Sequence, residues 1–127
     1  MAIREIEFRG KRVDNGEWVY GLFARCKVGN LILPCIQRER ENDSGDYIEA
    51  IIVNGETLGQ YTGIKDKNGK GIYEGDIIRF IKENCLVIFV ENDCAFRIEV
   101  DSRISTALRK AHSKDYEVIG NIHDEEE

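Results

Sequence analysis

Apolar residues in this chain come in short runs rich in Val, Ile, Phe and Tyr, each closed off by Gly, Asn or Asp. Such runs leave no room for long amphipathic helices and predict strands joined by tight turns. Strands are expected over about 3–9, 17–26, 31–36, 46–53, 76–82, 85–91, 94–100 and 116–121. Reversals are expected at Asp14–Gly16, at Gly29-Asn30 and at Asn92-Asp93, whose residue types favour turns. The expected class is therefore mostly β, built from successive antiparallel hairpins. One short helix is expected after Asp101 or Ser102 as N-cap, because Ile104, Leu108 and Ala111 recur at helical spacing. Pro34 lacks an N–H and predicts that its strand lies at a sheet edge. The polar segment Arg38–Asp46 reads as an exposed loop.

With 127 residues, 42% hydrophobic and 33% charged, the chain suits one globular domain, divided here into an N-terminal β part (1–56), a second part (57–123) and an acidic tail (124–127). No apolar run approaches the roughly 20 residues of a membrane-spanning helix. The opening MAIREIEFRGKR mixes charges and has no continuous apolar segment, so no secretory signal is expected and the expected location is the cytoplasm. A net charge of −6 works against binding nucleic acid through phosphate neutralisation. Charge is unevenly spread: Arg103, Arg109, Lys110 and Lys114 precede an acidic C-terminal stretch, the pattern of a basic helix face beside a solvated tail. Cys26, Cys35, Cys85 and Cys94 lack the close spacing of a zinc knuckle, and His112 and His123 supply no metal-binding pair. No metal or cofactor is expected, and Cys in a run such as CLVIFV reads as a small buried hydrophobe.

The stretch GIKDKNGKGIYEGD, Gly63–Asp76, invites three other readings. A phosphate-binding P-loop fails because Gly63 and Gly69 enclose five residues and Lys70 is followed by Gly71 where a hydroxyl belongs. A dinucleotide fingerprint fails at the gap between Gly71 and Gly75, and DIIRFI reads as a strand where a helix is needed. A calcium loop laid on Asp66, Asn68 and Gly69 places Ile64 and Gly75 where two essential oxygens belong. The remaining reading is a hairpin. Asn68-Gly69 suits a type I′ turn, with Lys67, Lys70 and the neighbouring acids facing water, and Gly75-Asp76 suits a sharp entry into the next strand.

Three blocks, FRGKRVDNGEWVYG (Phe8–Gly21), ETLGQYTGIKDKNGKGIYEGDII (Glu56–Ile78) and YEVIGNIHD (Tyr116–Asp124), together resemble the YopX family of phage and prophage proteins. The resemblance runs from near residue 4 to near residue 124. It implies a mostly β protein whose C-terminal part is a small Src-homology-3-like barrel, a phage or prophage origin, and no established activity. Asn54-Gly55 stands where relatives often carry proline, and Lys27–Ile48 carries little of the pattern.

The leading functional expectation is a binding or adaptor module for a protein partner, with Trp18, Tyr20, Tyr61 and Tyr73 as aromatic contacts. Each of these aromatics has an ordinary alternative as a core residue. A nucleic-acid variant places Lys65, Lys67, Lys70 and Arg79 on phosphates with Tyr61 or Tyr73 stacking on a base. A hydrolase variant has Asp66, Glu74 and Asp76 holding a divalent ion. A homo-oligomer is the expected assembly.

Overall fold

Where short apolar runs alternate with turn residues, the computed structural model of the protein forms strands; it describes residues 5–34, 49–101 and 103–124. Ten strands lie among the described residues: β1 (Phe8–Arg12), β2 (Trp18–Cys26), β3 (Gly29–Pro34), β4 (Ile51–Lys65), β5 (Gly71–Tyr73), β6 (Asp76–Phe80), β7 (Glu83–Val90), β8 (Ala95–Val100), β9 (Arg103–Ala107) and β10 (Tyr116–Asn121). The pairings β1–β2, β2–β3, β3–β4, β4–β5, β6–β7, β7–β8, β8–β9 and β6–β10 are antiparallel. No helix among the described residues is long and apolar enough to cross a membrane. Residues 3–4, 35–36, 46–48 and 125–127, with the polar loop Arg38–Asp46 and Cys35, lie outside the described residues.

The chain divides into two compact units, one comprising Ile6–Gly59 and the other Met1–Glu5 with Gln60–Glu127, so the boundary falls inside β4. In the first unit the pairing runs β1-β2-β3-β4 and returns from β4 to β1. Ile32 and Val53 are buried there, and Phe8 stacks against Phe23 at 5.6 Å. Thr57 stitches the two ends of the circuit: its Oγ1 accepts from the Lys11 N–H at 2.8 Å and donates to the Asn54 carbonyl at 2.7 Å. Gly21 is required at its position, since a Cβ there would sit 2.1 Å from the Leu33 carbonyl oxygen on the paired strand. β3 lies between β2 and β4, so the edge position expected from Pro34 is corrected. Proline is tolerated because it is the last residue of the strand. The reversal between β2 and β3 is Lys27-Val28, two residues before the expected one, because Cys26 pairs with Gly29.

In the second unit β5 pairs with the end of β4, and β6 to β10 form a sheet in the order β10-β6-β7-β8-β9. Its core gathers Ile72, Ile78, Cys85, Val87, Ile98, Leu108 and Tyr116, with Phe80 and Phe96 packed against it. Alternation along β6 and β7 sends Ile78, Cys85 and Val87 inward. The expected helix after Asp101 is overturned. Residues Arg103–Ala107 form β9, because Asp101 takes a φ of 51° in a tight reversal that pairs Val100 with Arg103. A 3-10 helix, Lys110–Asp115, follows without a side-chain cap or a buried residue.

The β6–β7 hairpin closes at Phe80 and Glu83, leaving Ile81 (φ 48°) and Lys82 (φ 67°) as its two turn residues. A β-branched residue is a poor fit to left-handed backbone, where Asn or Gly belongs. Ile81→Asn is expected to raise stability by about 1 kcal/mol, visible as a higher Tm; an unchanged or lower Tm would refute the strain.

Candidate functional site

The Gly63–Asp76 stretch does form a hairpin, but its chemistry centres on a carboxylate. Asp66 is 5% exposed, which corrects the expectation that the acids of this turn face water. Its Oδ1 accepts from the N–H groups of Asn68 and Lys70, both at 2.9 Å, and its Oδ2 accepts from the Val118 N–H on β10 at 3.0 Å. The Asp66 carbonyl accepts from the Gly69 N–H at 3.0 Å, and only Gly69 (φ 82°), not Asn68, has positive φ. The expected type I′ turn is thus replaced by a turn built around the Asp66 side chain, with Gly69 supplying the left-handed step. Lys67 donates its N–H to the Tyr116 carbonyl at 3.0 Å, so the loop lies along the edge of β10. Burial pushes the Asp66 carboxyl up, but the N–H groups of Val118, Lys70 and Asn68, with the Lys70 charge, outweigh it and hold the group below its ordinary range.

Of the other two carboxylates named in the hydrolase alternative, Asp76 also serves the backbone. Asp76 is 1% exposed and its Oδ2 accepts from the Tyr73 N–H at 2.7 Å, the role expected of an Asp entering a strand after Gly75 (φ 94°). Burial pushes the Glu74 carboxyl up, partly offset by a hydrogen bond from the Gln60 backbone. Among the described residues no group of three or more His, Cys, Asp or Glu is placed to hold a metal ion. Because the fold favours the neutral form of Glu74, its stabilising contribution is present below the ordinary Glu pKa and is lost as pH rises through the raised value. Glu74→Gln is therefore expected to melt above the wild type at pH 7, with the difference shrinking towards pH 4; a lower Tm at pH 7 would contradict it.

Of the aromatic candidates, Tyr61 and Tyr73 are each 7% exposed and stack on one another at 5.4 Å, as register partners of β4 and β5. Lys65, Lys67 and Lys70 are exposed around the same hairpin, with Lys67 Nζ 3.5 Å from Glu117. Arg79 is exposed and lies opposite Glu117 in the β6–β10 register. Cys26 and Cys94 are exposed, while Cys85 is buried.

Trp18 and Tyr20 have a different setting. The β1–β2 register sets Lys11 opposite Trp18 and Arg9 opposite Tyr20, so all four share one face. The Arg9 guanidinium carbon lies 4.6 Å from the Trp18 ring centroid and Lys11 Nζ 5.4 Å from it, so two cations meet one indole. The register continues the face through Leu22 and Leu33, and through Leu31 and Ile52. Tyr20, Leu22 and Ile52 are 42%, 51% and 48% exposed. Sequence reasoning found the aromatics and missed Arg9, Lys11, Leu22 and Ile52. Counting outward from the turn after Arg12 gives their alignment.

These features define an antiparallel β protein with an apolar and cationic sheet face, in which the Asp66 and Asp76 carboxylates accept backbone N–H groups. The model of the family described as YopX protein matches residues 7–127, and the chain belongs to that family. No curated protein matches the chain.

Proposed function

We propose that the protein is a binding module that docks a protein partner through the outer face of the β1–β4 sheet. The observation that carries this reading is the exposure of Tyr20, Leu22 and Ile52 on one face beside Trp18. Exposed apolar side chains grouped on one face mark interaction surfaces, and Trp, Tyr and Arg dominate contact energies where they occur. A net charge of −6 favours a protein partner over nucleic acid. In the second unit, the strand order β10-β6-β7-β8-β9 with a 3-10 helix before the last strand supports reading that sheet as a Src-homology-3-like barrel. The family resemblance supports a phage or prophage origin, with the host cytoplasm as the place of action. The test is affinity capture from cells carrying the protein, comparing wild type with Leu22→Glu and Tyr20→Ala. Capture should fall about tenfold in both variants with Tm unchanged; equal capture by all three would sink the reading.

A further inference from the structure

Ile81 is unexplained by its own surroundings. It is 71% exposed, the most exposed large apolar side chain among the described residues, and its backbone disfavours a β-branched residue. Contact with a second surface would bury that side chain. The Ile6–Gly59 unit carries a cavity of about 360 Å³ with apolar walls from Val13, Ala50 and Ile52 and with the carboxylates of Asp14 and Glu49 among its lining. Arg12 engages Asp14 through Nε and Nη2, at 2.9 and 2.8 Å, and its charge also interacts with Glu49, an exposed carboxylate lining the same cavity. The hairpin tip offers the complement, one apolar side chain beside one exposed ammonium.

We propose that this cavity receives a second copy of the chain, Ile81 of one molecule seating between Val13 and Ile52 of the next while Lys82 meets Glu49. Tip and socket are different surfaces, so the contact is head-to-tail and adds copies into a ring or an open chain, not a two-fold dimer. It shares Ile52 with the partner face proposed above, but not Tyr20 or Leu22. Light scattering and sedimentation of the full chain over a range of concentrations test it. Wild type should associate, and Ile81→Asn, Lys82→Glu and Glu49→Lys should each weaken association about tenfold or more. Ile81→Asn should do so while melting higher than wild type, which separates lost contact from lost folding. An equimolar mixture of Lys82→Glu and Glu49→Lys should restore association, because reversed tip meets reversed socket and the unaltered surfaces still match. A wild type that stays monomeric throughout, or a mixture no better than its components, overturns the proposal. So does loss of association in Leu22→Glu, since Leu22 does not line the cavity.

Discussion

Asp66→Ala is expected to destabilise the protein by about 3–5 kcal/mol, since hydrogen bonds to a charged acceptor contribute about 1.5–3 kcal/mol each and three N–H groups lose theirs. The donors come from two places, Asn68 and Lys70 within the loop and Val118 on β10. Alanine therefore releases the loop and unsettles the edge of the last strand together. Asp66→Asn separates the two effects, because an amide oxygen can still serve Asn68 and Lys70 while its NH₂ confronts the Val118 N–H. Its loss should be about half as large. The same carboxylate gives a pH signature. Its folded pKa is depressed, so its stabilisation is present above the ordinary Asp value of about 4 and lost as pH falls through the lowered value. Denaturant midpoints followed down in pH should fall more steeply for wild type than for Asp66→Asn. Parallel curves would show that the Asp66 charge does not supply this stability.

Tyr116→Ala is expected to cost a similar amount, about 3–5 kcal/mol, by opening a large cavity in the second unit. Tyr116 is fully buried, stacks on Phe80 at 5.0 Å and accepts a hydrogen bond from the Arg109 N–H at 3.1 Å through its hydroxyl. Tyr116→Phe keeps the ring and removes only that acceptor, so its expected cost is about 1 kcal/mol. Chemical denaturation of the two variants partitions ring packing from the polar contact. Equal losses would mean that the hydroxyl, not the ring, anchors this strand.

Strands with continuous apolar runs were legible from sequence alone: β2, β6, β7, β8 and β10 lie within a few residues of their expected positions because Val, Ile and Phe mark them. β4 was only half seen. Its inward positions after Val53 are Thr57, Gly59 and Tyr61, so the period of two is present but written in residues that do not read as apolar. The helix expected at Ile104, Leu108 and Ala111 failed because the same segment alternates Ile104 and Thr106, and the reversal at Asp101 sets it against β8. Turn position at Asn68-Gly69 was readable, whereas turn type was not, since it depends on where a carboxylate two residues earlier finds its donors, one of them on β10. Aromatic candidates were readable as residue types only. Register alone decides that Trp18 lies beside Lys11 and that Tyr61 faces Tyr73.

β10 completes a core whose other members run from Ile72 to Leu108, and it does so by pairing with β6. During synthesis the ribosome releases β6 before Tyr116, so a nascent chain holds that strand with a bare flank until Asn121 has left the ribosome. Chaperone capture and pairing between neighbouring nascent chains therefore have their opening in that interval, and slow codons before Tyr116 would lengthen it.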